Sequence, residues 1–150
     1  MATQDRNRPV LIAYDGSEYA KEAIRQAGAQ LHKGRRAIVL TVWQPPAVTA
    51  FMGAPIPPEV EKDVERDAER VADEGGRLAR RAGFKATTVA EQGDPIWERI
   101  VKTAEEHNAG IVVMGSHGRT GISRALMGSV ATTAASHTDR PVLIAHRRDL

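Results

Sequence analysis

GIVVMGSHGRTGISRALMGSV, residues 110–130, is the stretch on which the fold turns. It opens with an apolar, β-branched run, GIVVMG at 110–115. It then passes through a segment punctuated by Gly115, Gly118, Gly121 and Gly128, and enters a helical pattern at Gly128-Ser129. A strand that is apolar on both faces belongs inside a parallel sheet with helices on both sides, because only there are both faces out of water. Glycines between such a strand and the next helix let the backbone turn sharply and aim its N–H groups at a ligand.

Working outward, four more runs of the same kind appear: 9–14 (PVLIAY), 37–43 (AIVLTVW), 85–91 (KATTVAE) and 141–146 (PVLIAH). KATTVAE is more polar and alternating, which predicts a place nearer a sheet edge. Helical patterns lie between the runs. Ala20, Ala23, Ile24, Ala27 and Leu31 recur at three and four residues, after an N-cap at Ser17 and before Gly34. Val60, Val64, Ala68, Val71, Leu78 and Ala82 do so over a longer stretch that closes at Gly83, with the charged residues of 59–81 as its solvated face. Asp94-Pro95 predicts a third helix start, Asp94 as the cap and Pro95 at the first helical position. Ile96, Trp97, Ile100, Val101 and Ala104 form its buried face, and Asn108 or Gly110 ends it. Val130, Ala134 and His137 share one side of the last helix, which Pro141 stops. Strand and helix alternate throughout. The predicted fold is therefore α/β: a single doubly wound, five-stranded parallel sheet with right-handed crossovers and helices on both faces. Ligands of such sheets bind at the carboxyl ends of the strands, where the strand order reverses.

A length of 150 residues fits one domain with a real hydrophobic core. The absence of cysteine excludes disulfides, zinc-thiolate sites, thiol catalysis and iron–sulfur clusters, and suits the cytoplasm. Lys and Arg number 21 against 19 Asp and Glu, a balance that gives no argument for a nucleic-acid partner. No apolar run approaches a membrane span, and residues 1–8 are polar, unlike a secretory signal, and read as a flexible tail. Residues 44–58 hold five of the eight prolines and leave the ligand-binding end of the second strand as an irregular segment carrying Phe51 and Met52. That apolar pair can close over a ligand, meet a partner or simply pack on the sheet edge. Trp43 and Trp97 read as packing residues. The histidines His32, His107, His137 and His146 are dispersed and show no metal-ligand spacing.

The chemistry concentrates in residues 115–130. Backbone amides there, with the Ser129 hydroxyl at a helix N-terminus, can hold a triphosphate, and Arg119 and Arg124 can add charge. Neither G-x-x-x-x-G-K-[ST] nor a G-x-G-x-x-G after the first strand is present, so the familiar phosphate loops do not apply. An ordinary glycine-rich connection between strand and helix has the same spacing.

Gly115-x-x-Gly118, followed after nine residues by Gly128-Ser129, resembles the ATP-binding signature of the universal stress protein family. The resemblance extends over residues 9–146, through LIAYDGSE at 11–18, TVW at 41–43, EQGDP at 91–95, VVMGSHGRTG at 112–121 and RPVLIAH at 140–146. It implies a Rossmann-like sheet of order 3-2-1-4-5, with residues 9–150 as one nucleotide-binding domain. It further implies that Asp15 holds a ribose hydroxyl or a metal-bound phosphate, with Ala13 and Tyr14 meeting the base through their backbone. Read as a residue alone, Asp15 is a turn or cap residue before Ser17 rather than a ligand contact. By the same resemblance Val42 packs on adenine, while Met114, Gly115, Gly118, Gly128, Ser129 and Val130 contact ribose and phosphates. His117 lies within the motif at a variable position. The ligand so implied is ATP, with Mg or Mn. The resemblance also implies a homodimer through the edge strand 141–146, which begins at Pro141.

Three classes of function follow. The first is a nucleotide-dependent regulator of the stress response, which the intact motif favours. The second is a slow ATPase or self-phosphorylating enzyme, with Thr120, Ser123 or Ser129 as acceptor. The third is an interaction domain without nucleotide. A cyclic-AMP-binding module is a variant of the first, and the length of the loop favours ATP. No residue is clearly a catalytic base.

Overall fold

The structure is a computed structural model that describes residues 6–45, 57–118 and 127–147. Nine elements alternate along it: β1 (Val10–Ala13), α1 (Glu18–Gln30), β2 (Arg36–Trp43), α2 (Pro58–Arg81), β3 (Lys85–Gln92), α3 (Ile96–Glu106), β4 (Ile111–Gly115), α4 (Ser129–His137) and β5 (Val142–Ala145). The strands form one parallel sheet of order β3-β2-β1-β4-β5. Ile12 stands level with Val39 on one side and Val113 on the other. Among the described residues, no helix is long and apolar enough to cross a membrane.

The strands read as continuous apolar runs because the sheet has a core on each face. Val10, Ile12 and Tyr14 pack with Ala23, Ile24 and Ala27 of α1 and Ala79 of α2. The residues between them point the other way, and Leu11, Leu40 and Val112 pack with Ile100, Val101 and Ala104 of α3 and Ala131 and Ala134 of α4. The polar β3 lies at an edge, where its sequence predicts it.

Helix ends follow local chemistry. Ser17 caps α1, its Oγ accepting the Ala20 N–H at 3.1 Å. α2 carries Glu59 and Glu61 in its first turn and Arg80 and Arg81 in its last, which suits the helix dipole, and Gly83 beyond it has φ +106°. Asp94 does not cap α3. Pro95 occupies the cap position and the helix begins at Ile96, while the Asp94 carboxylate accepts from Gln44 Nε2 at 3.1 Å. His137 faces solvent at the end of α4, its ring 4.3 Å from that of Trp97; Ala131 and Ala134 carry the burial instead.

The inner face of α2 keeps most of the predicted stripe, with Ala68 buried and Val71, Leu78 and Ala82 packed against the core, but it differs at its start and in its deepest positions. Val60 is exposed, and the deeply buried positions are Ala68, Ala72, Gly75, Gly76 and Ala79. α2 lies so close to the sheet that larger residues do not fit. A Cβ on Gly75 would stand 2.6 Å from Tyr14 Cδ1 and 2.8 Å from Val39 Cγ1.

The opposite end of the sheet from the β1 and β4 carboxyl ends is tied by main-chain carbonyls. His32 Nε2 lies 3.0 Å from the Arg6 carbonyl, and Arg35 Nε donates to that of Arg8 at 3.0 Å. Residues 1–5, 46–56, 119–126 and 148–150 lie outside the described residues. With them go the predictions for Phe51, Met52, Arg119, Thr120, Ser123 and Arg124.

Candidate functional site

β1 has β2 on one side and β4 on the other, so the chain crosses in opposite directions from it and the helices flanking β1 and β4 diverge at their carboxyl ends. A cleft of about 630 Å³ opens there. Ala13, Tyr14 and Asp15 from the end of β1, and Val42 from β2, line it. So do Met114, Gly115, His117 and Gly118 from the end of β4, and Gly128, Ser129 and Val130 at the start of α4. The fold thus gathers every proposed site residue that is described.

Each glycine of the motif has its own steric reason. A Cβ on Gly115 would stand 2.7 Å from Tyr19 Cβ and 2.8 Å from the Tyr19 carbonyl carbon, so this glycine lets α1 approach β4. On Gly118 it would stand 2.9 Å from Asp15 Oδ2, directly over the carboxylate. On Gly128 it would meet the Ser116 carbonyl oxygen at 3.0 Å, where the loop returns to the strand.

Ser116, which sequence reasoning passed over, organises this region. It is 1% exposed. Its N–H donates to Ala145 at the end of β5 (2.9 Å), and its carbonyl accepts the Gly128 N–H (2.7 Å). Its Oγ lies 3.0 Å from His117 Nδ1. One buried residue therefore links β5, the far end of the glycine segment and the His117 ring, which also rests 4.9 Å from that of Tyr19. A small polar residue directly after an apolar strand was the available signal.

The base of the cleft is fixed from β1 and β2. Tyr14 N–H donates to the Leu40 carbonyl at 2.9 Å, and the Thr41 hydroxyl donates to the Tyr14 carbonyl at 2.8 Å. The Tyr14 side chain points away into the α1–α2 core, where its hydroxyl donates to the Glu74 carboxylate of α2. Burial first, and then Glu74, push the Tyr14 phenol well above its ordinary pKa. Asp15 Oδ1 accepts the Ser17 N–H at 2.9 Å, so Asp15 also shapes the turn into α1.

Helices supply walls the sequence did not announce. Val64, Asp67, Ala68 and Val71 of α2 and Ile96 and Ile100 of α3 line the cleft. Asp67 pairs with Arg70. Among the described lining residues the carboxylates are Asp15 and Asp67, and there is no lysine or arginine. Positive potential comes instead from the start of α4, where Gly128 offers no side-chain cap and the first-turn amides point outward. The cleft therefore joins an apolar slot, a carboxylate and a helix N-terminus. No group of three or more metal-ligating side chains gathers among the described residues.

Residues 6–146 match the Universal stress protein family. The chain belongs to that family. Universal stress protein MJ0577 of Methanocaldococcus jannaschii is 39% identical over 67 residues, an alignment covering 45% of this chain and 41% of that protein. The solved structure of MJ0577 is similar over 97% of this chain and 99% of its own, with a TM-score of 0.79 and 28% identity. A universal stress protein of Thermus aquaticus is 31% identical over 139 residues, 91% of this chain and 97% of that protein. More distant members share the fold. They include a universal stress protein in complex with cAMP (TM-score 0.63, 23% identity, 93% of this chain and 97% of that one). The Archaeoglobus fulgidus protein in complex with dAMP is another (0.62, 21%, 92% and 97%). A third is an Arabidopsis thaliana protein with AMP bound (0.61, 16%, 94% and 92%).

Proposed function

We propose that this universal stress protein is a cytoplasmic, nucleotide-dependent regulator that binds ATP in the cleft between β1, β2 and β4. The observation that carries the reading is the meeting, in one cleft, of an apolar slot with an uncapped helix N-terminus. Adenine needs the first and phosphate the second. Val42, Ile96 and Ile100 would enclose the base, with Ala13 and Tyr14 offering backbone atoms. Asp15, at the foot of the slot, would accept from a ribose hydroxyl. Met114, Gly115, His117 and Gly118 would line the ribose–phosphate path, with Arg119 following. The amides of Ser129 and Val130, beyond Gly128, and the Ser129 hydroxyl would take the phosphates. The distant relatives that hold AMP, dAMP and cAMP share this fold. At their level of identity they support the fold, and the choice of ligand rests on the cleft.

With Asp67 paired to Arg70, Asp15 alone does not make a dedicated cation site. Mg or Mn would arrive on the phosphates, and Asp15 could hold a metal-bound phosphate in place of the ribose hydroxyl. No described residue of the cleft stands out as a catalytic base, and the reading is slow turnover that serves as a switch, with kcat below about 1 per second. ATP hydrolysis under multiple turnover tests this, and a faster rate would make the protein an enzyme. Competition between ATP and cyclic AMP for the site tests the ligand: ATP should win at equal concentration. Tighter binding of cyclic AMP would replace ATP as the ligand.

β5 is an edge strand whose residues Val142, Leu143 and Ile144 are only partly buried. Such an edge invites pairing, and a twofold mate would supply it. The assembly proposed is a homodimer through 141–146.

A further inference from the structure

Of the two methionines among the described residues, Met114 is buried at 4% exposure, while Met127 is 37% exposed; both line the cleft. Met127 immediately precedes Gly128, the N-cap of α4, at which no side chain caps the helix. We infer that Met127 is a peroxide-sensitive modification site whose oxidation closes the cleft to nucleotide. The inference rests on the nucleotide reading above.

The step is a two-electron oxygen transfer. A lone pair on the Met127 sulfur attacks hydrogen peroxide, the O–O bond breaks, sulfur becomes the sulfoxide and water leaves. Met114 carries the same chemistry and also lines the cleft, but it is only 4% exposed, so peroxide meets it far less readily. The product replaces an apolar surface with a strongly polar S=O in the cleft wall. Two consequences follow for a phosphate-bearing ligand. The cleft wall loses apolar surface, and a strong acceptor enters it one residue before Gly128, the N-cap of the helix whose first-turn amides a phosphate would use. Sulfoxide reduction by a methionine sulfoxide reductase reverses the change.

The test treats the full-length protein with hydrogen peroxide, follows the added oxygen at each methionine by peptide mass spectrometry, and measures ATP binding before and after by calorimetry. Met127 should oxidise ahead of Met114, and the ATP Kd should rise about tenfold, the scale on which an ill-placed polar group acts in a binding wall. A sulfoxide reductase should restore it. Met127→Leu keeps an apolar side chain of similar volume, and its ratio of affinities before and after peroxide should stay near one. Oxidation of Met127 no faster than Met114, an unchanged Kd after full oxidation, or an equal loss in Met127→Leu would each overturn the inference alone. Failure of the untreated protein to bind ATP would overturn the nucleotide reading and this inference with it.

Discussion

Tyr14 does two jobs with two parts of one residue. Its backbone lies at the floor of the cleft, while its phenol holds the Glu74 carboxylate of α2. The phenol's pKa is raised in the folded protein above the ordinary 10.0, through burial and Glu74, so the folded state binds this proton more tightly than the unfolded chain. Its contribution to stability is therefore complete below pH about 10 and declines above it, as the unfolded phenol ionises and the folded one does not. Tyr14→Phe should cost about 1 kcal/mol in denaturant unfolding at pH 7, and should lose less stability than wild type between about pH 9 and 11. Identical alkaline profiles for the two proteins would show that this bond carries no such linkage. Asp15 was visible in the sequence with two meanings, and the structure displays one of them directly: its Oδ1 shapes the turn by accepting from Ser17. Its other oxygen stands beside Gly118, where the ligand role remains the proposal.

At the scale of elements, α2 shows what periodicity does and does not reveal. The strands were legible because burial on both faces writes apolar residues at every position, and Ser17 and Gly83 marked helix ends by their own chemistry. The glycines on the inner face of α2 went unread because glycine inside a helix looks like a weakness. Here Gly75 is what lets the helix touch Tyr14 and Val39. Gly75→Val should push α2 from the sheet and lower stability by about 1–3 kcal/mol, read as a fall in the denaturant midpoint. A neutral result would mean that α2 is held less tightly than its packing implies. The cleft walls on α2 and α3 escaped notice for a related reason. Val64, Ile96 and Ile100 are apolar residues on amphipathic helices, and nothing in a sequence separates an apolar side chain facing a ligand from one facing the core. The described glycines of the segment, Gly115, Gly118 and Gly128, were legible, although Gly115 serves α1 packing as well as lining the cleft.

For the whole molecule, alternation of elements predicted a parallel sheet, but the order 3-2-1-4-5 came from the family resemblance, since periodicity fixes no strand's neighbour. That order puts the cleft beside β1 and leaves β5 on an edge. If β5 pairs with its mate, the protein should sediment as a dimer at micromolar concentration. A monomer under those conditions would leave the edge strand protected by other means. The central claim is that the cleft at the ends of β1, β2 and β4 binds ATP. Its most direct test is calorimetry on nucleotide-free protein with Mg-ATP, beside Gly118→Val, whose side chain would collide with the Asp15 carboxylate. The account predicts saturable binding of one ATP per chain, lost in a variant that still folds. A folded, ligand-free wild-type protein that takes up no ATP would contradict it.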